Sequence, residues 1–242
     1  RSFDIKMPKE ITRLVIDALS DSLFTAGVRS TGVATREQSE QSQTYMVGNI
    51  LMDTLRFNHD RLRRPAALPD LKEGSYIVFT LNRKALLADE DNLRKMLSAM
   101  VEAANGTPII APLRNDASDV VSRITSASNE IITLNSQLST LNSLSYLEFD
   151  WLTAHAKGVI TDSGNVAEEA TFNGIPCITL NDYTEHQETV TIGSNVLVGE
   201  NADRLREAVA KMVSGSWKHC GLPDRWDGRT ADRILQILLS ND

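Results

Sequence analysis

The chain has 242 residues, enough for one large domain or one and a half small ones at about 150 residues each, and for a sizeable core without covalent staples. Hydrophobic residues at 41% and charged residues at 24% make an ordinary globular mix, and a net charge of -7 argues against nucleic acid or an anionic membrane as partner, because such binding draws on Lys and Arg. Cys177 and Cys220 give neither a disulfide framework nor a four-ligand zinc site, and no run of 18 apolar residues exists to span a bilayer.

The chain starts at Arg1 without a Met or a signal-like stretch, so it reads as a processed or truncated piece of something longer. Residues 8–20 form the first expected helix: Pro8 suits its first turn, and Ile11, Leu14, Val15, Ala18 and Leu19 share a stripe. A short strand at 22–26 follows. Residues 27–43 are polar and carry no period that assigns them. A strand at 44–47 and a helix at 50–57 come next. Residues 61–74, with two prolines and no period, read as a linker. Strands are then expected at 75–81, 108–111, 130–134, 158–161, 176–180 and 195–198. Helices are expected at 89–104, 116–127, 145–156, 164–172, 202–213 and 228–240, and the acidic stretch after 180 reads as irregular. Short apolar strands alternating with longer helices predict an α/β fold, a parallel sheet covered on both faces.

Ligands of such sheets sit beyond the carboxyl ends of the strands, so the residues just after each strand are the candidates. The strongest signal is Thr161-Asp162-Ser163-Gly164-Asn165, which ends an apolar strand and opens a helix. A helix N-terminus presents free N–H groups and about half a positive charge, which suits a phosphate. Ser163 adds a hydroxyl, Gly164 permits close approach, and Glu169 is placed to reach a ribose hydroxyl. Plain capping by Asp162 or Ser163 explains the same spacing equally well. Asn82, Arg83 and Lys84 follow another strand and could meet a pyrophosphate, although a solvated loop is the commoner use of such residues. The Pro112–Asp116 stretch reads as a surface turn. Phe149 could stack on a base or belong to the core. Thr184, Glu185 and His186 could orient a sugar or phosphate, or cap the next helix. The four histidines show no metal spacing, and no G-x-S-x-G marks a serine hydrolase.

Taken together and in order, these segments resemble the non-hydrolysing UDP-N-acetylglucosamine 2-epimerases. Arg1-Ser-Phe-Asp…Met-Pro8-Lys9-Glu10-Ile-Thr-Arg13 is similar to that family's G-L-R-S-x-D…M-P-E-E-x-N-R. Val47-Gly48-Asn49…Asp53-Thr54-Leu55 is similar to V-G-N-x-x-I-D-T-L, and Thr161–Glu169 to T-D-S-G-G-x-Q-E-E. Thr184–Glu188 is similar to T-E-R-P-E, and Trp226-Asp227-Gly228…Arg233-Ile234 to the closing W-D-G-x-x-x-x-R-I. The resemblance implies a glycosyltransferase-B-like fold of Rossmann-type sheets with the first domain incomplete. Its implied divisions are 1–68 as the tail of that domain plus linker, 69–226 as the UDP-binding domain, and 227–242 as a closing helix across the hinge. It implies interconversion of UDP-N-acetylglucosamine and UDP-N-acetylmannosamine by elimination and re-addition of UDP, without metal or cofactor, by a cytoplasmic protein that is a homodimer when full length.

Carried over position by position, Glu10 is the remaining catalytic carboxylate. Arg13, Asn82, Arg83, Phe149, Ser163, Gly164, Asn165, Glu169 and Glu185 are the substrate-binding set. Lys9 stands where the family has its first glutamate, Asn82 where it has a histidine, and Ala85 where it has a second glutamate. These departures leave open a non-catalytic or altered-substrate nucleotide-sugar-binding module. A glycosyltransferase on the same architecture is a third, weaker fit.

Overall fold

A computed structural model of the protein describes residues 6, 8–126, 137–141 and 144–240. They divide into two compact units, residues 1–60 with 222–242, and residues 61–221. Among the described residues no helix is long and apolar enough to cross a membrane.

The first unit holds α1 (Pro8–Leu19), β1 (Ser22–Thr25), α2 (Val28–Glu37), β2 (Gln43–Met46) and α3 (Ile50–Asn58). β1 and β2 pair in parallel, Leu23 opposite Thr44, with α2 as their connection. The polar stretch that carries no sequence period thus contains a helix. It buries only Val33 and Ala34, and its start is fixed by a Ser30 hydroxyl that exchanges hydrogen bonds with Gly27. The carboxyl-terminal helix, Thr230–Ser240, belongs to this unit too. Asp53 on α3 caps it, its two oxygens accepting from the amides of Thr230 at 3.0 Å and Ala231 at 2.8 Å. Trp226 is 1% exposed and donates its indole N–H to the Ala26 carbonyl at 3.0 Å. Arg233 forks onto Asp227 at 2.9 and 2.5 Å and also donates to the Val47 carbonyl. The W-D-G…R-I ending is therefore a structural clasp. Replacing Asp53 by Ala leaves two helix-end amides uncapped and is expected to cost about 1–2 kcal/mol, read as a lower urea midpoint with unchanged slope.

The second unit opens with β3 (Ile77–Phe79), α4 (Lys84–Ala88), α5 (Glu90–Ala104), β4 (Ile109–Pro112), α6 (Asn115–Ser126) and β5 (Leu138–Leu141). α7 (Tyr146–Ala154), β6 (Gly158–Thr161), α8 (Gly164–Phe172), β7 (Cys177–Thr179), α9 (Gln187–Thr191), β8 (Asn195–Leu197) and α10 (Ala202–Ser214) follow, which makes the helix at 230–240 α11. The strand expected at 130–134 lies outside the described residues; the strand the structure describes beside β4 is β5. The acidic stretch read as irregular contains α9, five residues, too short to show a period.

The six strands are all parallel, in the order β5-β4-β3-β6-β7-β8. Both faces are covered. Ile77 and Phe79 point into a core built with Leu93, Leu97 and Met100 of α5 and Val209 and Met212 of α10. Tyr76 and Val78 point the other way, against Leu152 of α7 and Val166 of α8. This strict alternation explains why β3 reads as a continuous apolar run. Numbered within the sheet the order is 3-2-1-4-5-6, the doubly wound arrangement, whose direction reverses between β3 and β6.

Candidate functional site

A reversal of strand order parts the loops that leave two neighbouring strands, opening a crevice at their carboxyl ends. Here those loops are Thr80–Arg83 after β3 and Asp162–Gly164 after β6. A cavity of about 390 Å³ lies there, with Thr80, Asn82, Phe149, Asp162, Ser163 and Asn165 in its walls, together with Pro112 at the end of β4 and Arg114 just beyond it. A second recess of about 440 Å³ shares Asn82, Asp162 and Ser163 and adds Arg83, Asn181 and Tyr183.

Hydrogen bonds tie the strand ends together. The hydroxyls of Thr80 and Thr161 meet at 2.7 Å across β3 and β6, and the Thr161 hydroxyl accepts from the Ser163 amide at 3.0 Å. Asp162 turns its carboxylate sideways to accept from the Asn82 amide at 2.7 Å, and its carbonyl accepts from the Asn181 side chain at 3.1 Å. Asn181 in turn accepts from Arg83 at 2.7 Å, whose Nε lies 3.1 Å from Glu200. Loops after β3, β6 and β7 are thus one polar lattice under the two recesses.

That lattice separates the two readings of the D-S-G turn. Ser163 is the residue at which α8 starts, yet its side chain makes no capping bond, and Asp162 is committed to Asn82. Neither side chain covers the first-turn amides of α8, so plain capping is not what the turn does. Ser163 and Asn165, on either side of the first residue of α8, line a cavity large enough for a ligand.

The structure brings Asn82, Arg83, Phe149, Ser163 and Asn165 to these walls. Phe149 is half-buried, packed on the Tyr76–Leu152 core while forming part of the cavity wall. Gly164 lies under the ring of His186: a β-carbon there would come within 3.0 Å of Cδ2 and 3.1 Å of Nε2. Glu185 immediately precedes that histidine. Glu169, the residue read as reaching a ribose hydroxyl, is buried on α8. It is 6% exposed, and burial, then the charges of Asp150 and Glu168, push its carboxyl up to about 8. Glu10 and Arg13 lie in the first unit, paired with each other at 3.3 Å, with Glu10 2% exposed. Lys9 beside it is exposed.

Sequence reasoning passed over Asn181 and Glu200, and took Arg114 for part of a surface turn. Their signal was available, since each follows a strand. What was missing was the sheet order that makes them neighbours. Glu168 escaped as well. Its carboxylate accepts from His186 Nδ1 at 2.7 Å, holding that imidazole above its ordinary range against the opposing effect of burial. Among the described residues no group of three His, Cys, Asp or Glu is arranged to hold a metal ion.

A family model described as UDP-N-acetylglucosamine 2-epimerase matches residues 1–239. The chain belongs to this family. Within the epimerase family it is 30% identical over 247 residues to the UDP-N-acetylglucosamine 2-epimerase of Methanocaldococcus jannaschii, covering 98% of this chain and 66% of that protein. It is 33% identical to the UDP-2,3-diacetamido-2,3-dideoxy-D-glucuronate 2-epimerase of Pseudomonas aeruginosa, covering 98% of this chain and 65% of that one. The chain therefore spans a little under two thirds of these epimerases. The crystal structure of the Methanocaldococcus jannaschii enzyme in complex with UDP-GlcNAc and UDP superposes with a TM-score of 0.75 at 29% identity, over 98% of this chain and 67% of that one. The fold is thus the α/β, Rossmann-type, glycosyltransferase-B-like fold of the epimerases.

Proposed function

We propose that the full-length protein is a UDP-sugar 2-epimerase interconverting UDP-N-acetylglucosamine and UDP-N-acetylmannosamine, and that this chain supplies mainly the half that binds UDP. The observation that carries the reading is the uncapped opening of α8, beside Ser163, in a cavity at the reversal point of the sheet. The C2 proton of the sugar is not acidic enough for direct exchange. Breaking the C1–O bond to UDP together with C2–H yields a glycal, and re-addition returns the proton on the other face. Charge then develops on the departing diphosphate, where fixed N–H and O–H donors stabilise it most.

In this reading Ser163, Gly164 and Asn165 cradle the diphosphate, Arg83 and Asn82 flank it, and Phe149 packs on the uracil. Glu169 meets the ribose from its buried position, and Glu185 lies towards the sugar. Glu10 is the catalytic carboxylate and Arg13 a sugar-binding residue, with residues 1–68 the tail of the first domain plus linker and 69–226 the UDP-binding domain.

A second reading is favoured by particular residues. Lys9, Asn82 and Ala85 stand where the family has a glutamate, a histidine and a glutamate, and one relative acts on a diacetamido glucuronate. The protein would then bind a nucleotide sugar without epimerising UDP-N-acetylglucosamine.

Calorimetry with UDP and product analysis in deuterated water separate these. Binding of UDP, with deuterium entering C2 of UDP-N-acetylglucosamine, is the expected result for the full-length protein. Binding without exchange supports the second reading, and no binding removes both. Ser163→Ala is expected to weaken UDP about tenfold, the worth of one hydrogen bond to a charged group, while leaving uridine unaffected.

A further inference from the structure

We propose that His186 is a proton-dependent clamp on the diphosphate, with Glu168 as its positioning residue. This rests on the UDP reading above and names the side chain that would make that site sensitive to pH. The geometry comes first. The imidazole lies directly on Gly164, between two residues that form the cavity wall, with its Cδ2–Nε2 edge turned to the opening of α8. Its other nitrogen, Nδ1, is 2.7 Å from Glu168 Oε1 on α8. A bare alanine β-carbon at 164 would press on that edge, so the glycine and the histidine fit as a pair. The loop that carries the ring is held by its own turn, in which the His186 amide donates to the Thr184 hydroxyl at 3.0 Å.

Hydrogen-bond chemistry then fixes the tautomer. A carboxylate can only accept, so Nδ1 carries a proton in both charge states. In the neutral ring Nε2 is a lone-pair acceptor, and phosphate oxygens are acceptors too, so the two repel. In the imidazolium Nε2 becomes a donor carrying positive charge, and it adds a charge-assisted bond to the N–H groups of α8. Binding a diphosphate therefore takes up a proton at Nε2. The charged groups acting on the ring are Glu168 on α8, Glu185 just before it and Glu188 on α9, and all three favour the imidazolium against the effect of burial. The family pattern T-E-R-P-E has a permanent cation at this position, and this chain has a titratable one.

Titration calorimetry on the full-length protein at pH 7, 8 and 9, in buffers of different ionisation heat, tests this with UDP, and with uridine as a probe lacking phosphate. From pH 8 to 9 the nucleotide's own phosphate is fully ionised, so a change across that interval belongs to the protein. We expect UDP to bind about tenfold more weakly at pH 9 than at pH 7, with net proton uptake, and uridine to show neither effect. His186→Arg should keep the tight binding and lose the pH dependence. His186→Gln should bind at the weaker level throughout. UDP binding that is flat with pH, together with a His186→Gln protein equal to the original, overturns the clamp and leaves the UDP reading standing. Failure of the unaltered protein to bind UDP at any pH overturns both.

Discussion

The protein should lose stability as pH rises from about 5 to 8, and Glu169→Gln should abolish most of that loss. Glu169 keeps its proton until about pH 8, against an ordinary value of 4.5. Between these limits the native state holds a proton that the unfolded chain has released. The unfolded state therefore binds fewer protons, and the free energy of unfolding falls with pH by about 1.4 kcal/mol per unit, roughly 4 kcal/mol over the window. Stability from this group is complete below the unfolded value and lost as pH passes the folded one. Burial is the chief cause, and the neighbouring Asp150, 2% exposed, and Glu168 add to it. An amide of the same shape has nothing to ionise. Urea unfolding of both proteins at pH 4.5, 6 and 8.5 reads the difference: the curves should lie close at pH 4.5, with the glutamine protein the more stable by about 2 kcal/mol at pH 6 and by about 4 kcal/mol or more at pH 8.5. An original protein no less stable at pH 8.5 than at pH 6 would show that Glu169 ionises normally. Tyr146, whose hydroxyl is pushed up to about 12 by burial and by the charges of Asp150 and Glu169, stays neutral throughout and adds no slope of its own.

The parts legible in the sequence share a cause. β3, α5 and α10 bury regular faces, so their periods survive in the letters. α2 does not, because VRSTGVATRE buries two small side chains and carries a glycine at its middle, which leaves no stripe to find. The site divides the same way. The D-S-G turn is readable because its chemistry is local to one strand end. Whether Asp162 caps α8 is not, since the deciding partner is the Asn82 amide, 80 residues away and adjacent only once β3 and β6 pair. Asn181 is hidden for the same reason. Glu169 is a related case: spacing along α8 gives its distance from the turn but not its burial, which the packing around it, with Asp150 near by, decides.

The V-G-N segment carries the other large effect, and its reason is steric. Gly48 has φ +104, a conformation that side chains rarely adopt, and a β-carbon there would fall 2.1 Å from the Arg225 carbonyl oxygen. That oxygen cannot step aside. Arg225 itself sits at φ +62, its guanidinium donates to the Met46 carbonyl, and its own carbonyl accepts from Arg233 at 3.4 Å. The next residue, Asn49, caps α3 by accepting from the Leu51 amide at 3.0 Å, so the turn cannot rotate without uncapping that helix. Gly48→Ala should therefore cost about 3 kcal/mol or more, strain and collision together. Gly74 is the natural comparison. It has φ +69 but nothing within 4 Å of its would-be β-carbon, so Gly74→Ala carries strain alone, about 1 kcal/mol. Thermal or urea unfolding of the two variants isolates the collision as their difference. Equal losses would mean that residues 222–233 are not seated on the Gly48 turn. A much larger loss at Gly48 would show that the family's V-G-N and W-D-G segments are two halves of one contact, with the glycine there to let a backbone oxygen in.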